Sequence, residues 1–271
     1  MIGSPHRIGK NDRSGEFMKK FPFRVLSVKG GAALLFCAAV IACGFFVSPS
    51  VQPAAVSGQK PVYSVEREDP TIALSFDASW GAEHTDEILA TLDRYGVKTT
   101  FFLVDLWMDE YPDKVKAIDG GGHEIGLHSA THPHFTALSE EQMIEELNKN
   151  RETVKKLTGK EAALFRPPYG DYNDSVIRTV SSAGLTAVQW SVDSLDWKGL
   201  SAEEISGRIL KGVSPGAIVL LHNNGDHTAE ALKIFLPALL EEGYRIVPVG
   251  ELLPGGDGYV DANGVMRQNK E

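Results

Sequence analysis

Cysteine is scarce in this 271-residue sequence, and the part of it that resembles a folded domain has none. The two cysteines, Cys37 and Cys43, both lie within one apolar run near the N-terminus. From residue 48 onward the chain therefore offers no disulfide, no thiol nucleophile and no thiolate ligand for a metal. Those three kinds of chemistry are excluded for the domain that follows the run.

Basic residues are also few in that domain. Residues 1–47 hold seven of the 27 Lys and Arg residues and two of the 36 Asp and Glu residues. The rest of the chain is left with 20 basic and 34 acidic side chains and a formal net charge of −14. A surface this acidic is unsuited to binding nucleic acid or a polyanionic glycan broadly. We expect no nucleic-acid partner, and a neutral or acetylated substrate fits better.

An uncharged apolar run occupies residues 30–47 and follows four basic residues between positions 19 and 29. Its length of 18 residues is intermediate between that of a long signal-peptide core and that of a short membrane span. Basic residues ahead of such a run predict that the N-terminus stays cytoplasmic and that the rest is exported. We therefore expect a signal peptide or signal-anchor at 18–47. The exported protein would then be either membrane-anchored through residues 30–47 or secreted to the cell wall.

The remaining chain divides by composition. Residues 1–17 are interpreted as an extension ahead of a natural start at Met18, and residues 48–69, rich in Pro, Ser and charge, as a linker. We expect one folded domain over 70–254, because neither a repeat nor a change of composition interrupts it. A polar C-terminal tail is expected over 255–271.

Apolar, strand-like runs alternate with amphipathic stretches throughout the folded domain. Strands are predicted at 72–76, 99–104, 124–127, 164–166, 186–190, 217–221 and 245–248, and helices at 85–95, 113–120, 140–157, 174–183, 202–211 and 228–242. Ser139 is a suitable N-cap for one of these helices, and Gly159 stands where it should end. Seven strands alternating with helices predict a parallel α/β fold.

Polar and ionisable residues follow the predicted strands, where parallel α/β folds gather their chemistry. They are Asp77 after the first strand, His128 and His132 after the third, Arg166–Gly170 after the fourth, Asp193–Trp197 after the fifth and His222 after the sixth. Each has an ordinary structural explanation when taken alone, as a cap, a rigid turn or a core histidine. Five such groups on one rim predict an active site. The two histidines, four apart, would lie on one face of a helical turn and suit a divalent metal.

The ordered motifs SFDASWG, HSATH, RPPYG, DSLDW and LLH, within residues 71–253, resemble the polysaccharide deacetylase family (NodB homology domain, carbohydrate esterase family 4). SFDASWG together with WSVDSLDW is most similar to the sporulation-associated, PdaB-like branch. The resemblance implies a distorted (β/α) barrel of about seven parallel strands. It also implies hydrolysis of the N-acetyl group of an N-acetylhexosamine in peptidoglycan or a chitin-like polysaccharide of the cell envelope. A divalent metal, usually zinc, would assist.

The same resemblance implies a role for each motif residue. Asp77 would be the general base that deprotonates the attacking water, and Arg166 would orient it and keep it ionised. His128 and His132 would be the metal ligands.

The later motifs are assigned in the same way. His222 would be the general acid that protonates the leaving amine, with Asp193 favouring its charged form. Trp197 would form a wall of the pocket for the acetyl methyl group. The residues themselves point to Tyr169 as an oxyanion donor, because the two prolines before it carry no backbone N–H.

One position departs from the family pattern. The first motif of the family normally has two adjacent acids, the second of which is a metal ligand, and here the second is Ala78. A methyl group cannot coordinate, so zinc affinity should be lower unless Asp226, His227 or His134 compensates. Three hypotheses stay open: a deacetylase with a weakened or altered metal site, a glycan-binding domain with little or no turnover, and a hydrolase of another amide.

Overall fold

The computed structural model describes residues 60–256 and 258–269. The predicted extension 1–17, the predicted export segment 18–47 and most of the predicted linker lie outside these residues. Within the described part of the chain, no helix is both long enough and apolar enough to cross a membrane.

The described residues form strands and helices in the alternation that the sequence predicts. The strands are β1 Ser64–Val65, β2 Thr71–Ala78, β3 Thr100–Leu103, β4 Glu124–Leu127, β5 Leu164–Phe165, β6 Thr186–Ala187, β7 Val192–Asp193, β8 Ile218–His222, β9 Arg245–Val247, β10 Gly258–Val260 and β11 Val265–Gln268. The helices are α1 Thr85–Arg94, α2 Asp105–Glu110, α3 Pro112–Gly120, α4 Glu140–Thr158, α5 Asp174–Ser182, α6 Ala202–Gly212, α7 Thr228–Glu241 and α8 Val249–Leu252. Three short 3₁₀ turns lie in the loops between them.

The main sheet is parallel and has the strand order β6-β5-β4-β3-β2-β8-β7, with β9 also paired to β2. It curls into a half-barrel, so the predicted α/β fold of about seven parallel strands is confirmed. Most of the connections between the parallel strands contain a helix, and all the strands have their carboxyl ends at one rim.

The central strand β2 is buried along all eight of its residues. Strands of a parallel sheet that is covered on both faces are apolar almost continuously. Leu74 and Phe76 pack in the core beneath the helices, whereas Ala73 packs in a second core on the inner side of the curved sheet. Because side chains alternate along a strand, Asp77 lies on the inner side and projects at the rim.

Helix α4 begins and ends as the sequence predicts. Ser139 accepts a hydrogen bond from the backbone N–H of Gln142, whose side chain accepts one from the backbone N–H of Ser139. Gly159 ends the helix in the left-handed conformation, at φ 73°. These two caps define the position of a helix that supports the site, as described below.

The predictions of a linker up to residue 69 and of a polar tail from residue 255 are wrong for the described residues of both segments, which contain strands. β1 pairs with β11, which pairs in turn with β10, in a separate three-stranded sheet. Val62 and Met266 are fully buried, and Val62 also bridges to Val188 beyond the end of β6. The physical reason is that single apolar residues in these polar stretches bury against the inner core, so the folded domain extends beyond 70–254 at both ends.

Candidate active site

A cavity of about 570 Å³ opens at the carboxyl ends of the central strands. Seven of the eight predicted site residues line it, which confirms the shared rim that the motifs predicted: Asp77, His128, His132, Tyr169, Asp193, Trp197 and His222. The eighth, Arg166, lies beneath the cavity floor and is fully buried. A larger cavity, of about 850 Å³, lies beside α4 and the start of β4 and is lined by none of these eight residues.

Asp77 and Arg166 form a buried ion pair. One guanidinium nitrogen, Nη1, donates to Asp77 Oδ1 at 2.7 Å, and Nη2 donates to Ser75 Oγ at 2.8 Å. The guanidinium also lies over the ring of Phe102, 4.2 Å from its centroid. Burial by itself would raise the pKa of Asp77, but the charge and hydrogen bond of Arg166, together with His128 and His222, outweigh it, and the pKa lies below its ordinary value. Arg166 therefore orients Asp77 and favours its ionised form, as the sequence predicted.

The two histidines of HSATH lie in a loop, and the prediction that a helical turn would align them is wrong. Ser129 and His132 both adopt positive φ, at 74° and 60°, and this backbone brings the two imidazole rings to 5.0 Å between centroids. His132 N donates to Ser129 Oγ at 2.9 Å, which closes the loop on itself. The two rings therefore converge as predicted, but a loop with positive φ angles brings them together and not a helical turn.

Helix α4 holds this loop through two residues one turn apart that the sequence analysis missed. Asn150 Oδ1 accepts from the backbone N–H of His128 at 2.9 Å. One carboxylate oxygen of Glu146 accepts from the backbone N–H groups of Ala130 and Thr131, at 2.9 and 2.8 Å. The i, i+4 spacing of Glu146 and Asn150 on a predicted helix is the signal that could have found them. These bonds satisfy the polar backbone of a strained loop.

His222 is paired with Asp196, whereas Asp193, predicted to favour the charged form of His222, does so only weakly. His222 Nδ1 donates to Asp196 Oδ1 at 2.7 Å, and its backbone N–H donates to Oδ2 of the same carboxylate, also at 2.7 Å. Asp193 instead accepts from the backbone N–H of Leu195, and its charge is the weakest of the named influences on His222. Both aspartates belong to DSLDW. The left-handed turn at Leu195 (φ 54°) decides which one reaches the histidine.

The pKa of His222 lies above its ordinary value. Burial by itself would lower that pKa, but the hydrogen bond and negative charge of Asp196 outweigh it, with Asp77 adding a smaller effect. Because Nδ1 is engaged by Asp196, Nε2 is the ring nitrogen left for chemistry. The raised pKa favours the protonated ring, and the bond from Nδ1 to Asp196 directs the Nε2 proton to the cavity, as a general acid requires.

Tyr169 and Trp197 both line the cavity, at its mouth. They are 58% and 60% exposed, which is unusual for large aromatic side chains. Tyr169 has a left-handed backbone, φ 60°, after two prolines. The roles of its amide in binding an oxyanion and of Trp197 in binding an acetyl methyl group stay predictions.

The residues present fit a divalent metal through two ligands. His128 Nδ1 donates to the carbonyl oxygen of Arg166 at 2.7 Å, so its Nε2 carries the free lone pair. His132 Nδ1 is buried without a hydrogen-bond partner among the described residues. Burial lowers the pKa of His128, and burial together with the charge of His128 lowers that of His132 to about 4. Both rings are therefore neutral at neutral pH, as metal ligands must be.

A third protein ligand is missing from the described residues, which hold no group of three His, Cys, Asp or Glu side chains suited to a metal. Ala78 packs in the core beneath the helices, on the face of β2 opposite Asp77. The expected substitutes lie elsewhere: His134 contacts Asp171 and His227 contacts Glu230, and neither they nor the exposed Asp226 lines the cavity. Compensation by one of these three residues, which the sequence left open, is therefore not supported.

Comparisons with known proteins agree with the site. A family profile described as polysaccharide deacetylase matches residues 64–188. A peptidoglycan-N-acetylglucosamine deacetylase of Bacillus cereus is 35% identical over 196 residues, which cover 70% of this chain and 92% of that protein. The chain spans 64% and 66% of the length of two further curated Bacillus relatives, so those proteins contain additional sequence.

Two solved structures show the same fold. PdaA of Bacillus subtilis, a family 4 carbohydrate esterase, has a TM-score of 0.69 and 31% identity, over 72% of this chain and 85% of that one. A family 4 pseudoenzyme from Bacillus anthracis has a TM-score of 0.70 and 30% identity, over 78% of this chain and 74% of that one. With its fold, motif order and B. cereus relative in agreement, the chain belongs to the polysaccharide deacetylase family.

Proposed function

We propose that this protein removes the N-acetyl group from N-acetylhexosamine residues of a cell-envelope polysaccharide, peptidoglycan or a chitin-like polymer. The observation that carries the proposal is the pairing of Asp77 with His222 across β2 and β8. Both side chains line one cavity, and each has its own oppositely charged partner, Arg166 for the acid and Asp196 for the histidine. Amide hydrolysis requires a base that takes a proton from water and a separate acid that protonates the leaving nitrogen, both facing the same substrate.

The reaction assigns one proton transfer to each residue. Asp77 takes a proton from a water molecule as the water oxygen bonds to the acetyl carbonyl carbon. His222 then gives its proton to the amide nitrogen as the carbon–nitrogen bond breaks, which leaves acetate and a free amino sugar. The backbone N–H of Tyr169 is proposed to donate to the developing oxyanion, and Trp197 and Leu220 offer apolar wall to the acetyl methyl group.

His128 and His132 are the residues that would hold a divalent metal, proposed here to be zinc. When bound, such an ion supplies a Lewis acid that polarises the acetyl carbonyl. Two imidazoles without a protein carboxylate predict weaker zinc binding than three protein ligands would give. We expect calorimetric titration with Zn²⁺ to show binding that is lost in His128→Ala and in His132→Ala. The matched control His227→Ala, outside the cavity, should bind as the parent does, and zinc binding that survives the loss of both cavity histidines would contradict the assignment.

Glycan binding with little turnover is the second candidate. It is favoured by the two-ligand metal site, and a solved relative of similar fold is described as a pseudoenzyme. Acetate release from purified peptidoglycan and from N-acetylglucosamine oligomers separates the two candidates. We expect release that falls with chelator and is restored by zinc or cobalt. Binding of the oligomers without acetate release under any of these conditions would favour the second candidate, and release that chelator leaves unchanged would favour hydrolysis without a metal.

The pH dependence of turnover should report His222. A general acid works only while protonated, so the rate falls as pH rises through the pKa of His222, which Asp196 raises. Asp196→Asn removes the negative charge and keeps the shape. We therefore expect the alkaline limb of the kcat/KM profile to move to lower pH, and the His222 ring signal in an NMR titration to move with it. Asp193→Asn is the matched control and should shift both much less; an equal shift in the two variants would contradict the assignment of Asp196.

Export is proposed on the order of residues near the N-terminus. Basic residues between positions 19 and 29 followed by the apolar run 30–47 support insertion into or passage across a membrane, with the folded domain outside the cell. Fractionation of cells that produce the full chain tests this proposal. Recovery of the protein in the membrane or wall fraction is expected, and recovery only in the cytoplasm would contradict it.

A further inference from the structure

The carboxylate of Asp196, which pairs with the proposed general acid, is itself held by a residue outside the sequence motifs. Asp196 is 2% exposed, and three hydrogen bonds reach its carboxylate. Two come from the ring and the backbone of His222, and the third comes from Thr228 Oγ1, which donates to Oδ2 at 2.7 Å. Thr228 is fully buried and does not line the cavity. Its hydroxyl group therefore acts on the carboxylate and not on a substrate.

The two oxygens of this carboxylate are bonded differently. Within the described residues, Oδ1 accepts from His222 Nδ1 alone, whereas Oδ2 accepts from both the backbone N–H of His222 and Thr228 Oγ1. A carboxylate buried away from water depends on such donors, because no solvent replaces a lost one. The two donors on Oδ2 fix the plane of the group, and Oδ1 is thereby directed at the imidazole ring.

The loop between β8 and α7 closes around Asp196. His222 is the last residue of β8 and Thr228 is the first residue of α7, so both ends of this loop donate to one carboxylate. The backbone N–H of Thr228 donates to the carbonyl oxygen of Gly225 at 3.1 Å. A Cβ atom at Gly225 would overlap Thr228 Oγ1 and would lie 3.3 Å from Asp196 Cβ, so this close approach requires glycine. The position of the hydroxyl group is thus set by the loop itself.

We propose that Thr228 is a positioning residue for the reaction, which fixes the Asp196 carboxylate so that Oδ1 holds the His222 ring with Nε2 toward the cavity. This inference rests on the proposed function, because it acts through the proposed general acid. Without the hydroxyl group, Oδ2 keeps one donor and the carboxylate can turn about its Cβ–Cγ bond. The ring then loses the alignment of Nε2 with the leaving nitrogen, on which proton transfer depends.

Proton NMR of the full chain, isotopically labelled at histidine, tests this inference without turnover. The His222 Nδ1 proton lies in a 2.7 Å bond to a buried carboxylate and should give a downfield resonance, identified by its absence in His222→Ala. Thr228→Val keeps the shape of the side chain and removes the hydroxyl group. We therefore expect the resonance to move upfield or to broaden beyond detection in this variant. Thr228→Ser keeps a hydroxyl group and should retain the resonance.

Acetate release should separate the same variants. We expect kcat/KM to fall about tenfold in Thr228→Val, equivalent to about 1.4 kcal/mol, mainly through kcat, and Thr228→Ser to retain most of the parental value. Thr91→Val is the matched control, because it removes a buried hydroxyl group on α1 that donates to the carbonyl oxygen of Glu87. It should leave the resonance and kcat/KM unchanged. Thr228→Ala provides the same test if the valine variant does not fold.

A parental resonance in a folded Thr228→Val or Thr228→Ala variant would overturn the inference, as would an equal loss of the resonance in Thr228→Ser. A changed resonance with parental kcat/KM would overturn it too. Failure of the proposed function gives a different pattern. If the parent protein releases no acetate but the resonance depends on the Thr228 hydroxyl group, the positioning stands and deacetylation does not. If acetate is released and Thr228→Val changes neither readout, deacetylation stands and the positioning does not.

Discussion

Asp77→Asn is expected to lower kcat/KM for acetate release from N-acetylglucosamine oligomers by about 10²–10⁴-fold, the usual contribution of a general base. Asparagine keeps the shape of the side chain and an oxygen that accepts from Arg166, but it cannot take a proton from water. Asp77 is 7% exposed and bonded to a fully buried guanidinium, so the substitution removes a carboxylate of fixed orientation. The measurement is steady-state acetate release, with folding checked by circular dichroism.

A matched acid-to-amide change should leave that rate unaltered. Asp86 lies on α1 and pairs with Lys114 at the surface, away from the cavity. Asp86→Asn controls for the loss of one negative charge from the domain. An Asp77→Asn variant that keeps the parental kcat/KM would remove Asp77 from the mechanism, since the proposed reaction has no other base.

Arg166→Met is expected to lower the free energy of unfolding by about 3–5 kcal/mol, the usual cost of leaving one member of a buried ion pair without its partner. Arg166 is fully buried and donates to Asp77, Ser75 and the carbonyl oxygen of Gln189. Methionine approximates the volume of the side chain but donates to none of these oxygens. Chemical denaturation followed by circular dichroism measures the change.

A double-mutant cycle separates the ion pair from general packing. Asp77→Asn/Arg166→Met removes the buried charge that Arg166→Met alone would strand, so we expect it to be more stable than Arg166→Met. If the two effects are simply additive, the pair is not coupled and the buried charges are compensated in another way.

The parts of this molecule that follow from local pattern were predictable. The apolar runs predicted the alternation of strands and helices. Because parallel strands bring their carboxyl ends together, Asp77, His128 and His222 were predicted to lie on one rim. The pairing of Asp77 with Arg166 was implied only by the resemblance to the family. The resemblance to the polysaccharide deacetylases gave these residues their roles before any distance was known. The PdaB-like branch stays a prediction.

What depended on backbone geometry was not predictable in the same way. Asp193 and Asp196 lie in one short motif, and only the left-handed turn at Leu195 directs the second of them to His222. His128 and His132 have the spacing of a helical turn, but their loop contains two residues of positive φ. HSATH has no glycine that would predict this conformation. In both motifs the residue spacing pointed to the correct part of the chain. The backbone conformation, a left-handed turn in each case, could not be predicted from that spacing.

The position of Ala78 follows from the alternation of side chains along β2. Residues 77 and 78 are neighbours in a strand, so their side chains point to opposite faces. Asp77 lines the cavity, whereas Ala78 packs against the core under the helices. The residue that sequence comparison marks as a missing ligand is thus, in this chain, a core methyl group, and the cavity wall at this point continues with Ser79.

The edges of the domain were missed for an energetic reason. β1 and β11 pair over only two residues each and lie in polar, Pro- and Gly-containing segments. Their stability comes from long-range burial of Val62 and Met266 and not from any local preference for strand. Over so few residues, the strand propensity and the hydrophobic periodicity are no stronger than those of a linker.

Mass spectrometry of a four-sugar N-acetylglucosamine oligomer incubated with the full-length protein and zinc is the most direct test of the central claim. The proposed reaction gives a product that has lost acetyl groups while the sugar chain stays intact. It also predicts that the loss disappears in both Asp77→Asn and His222→Ala. An oligomer that keeps every acetyl group at high protein concentration, or that loses them equally with both variants, would contradict it.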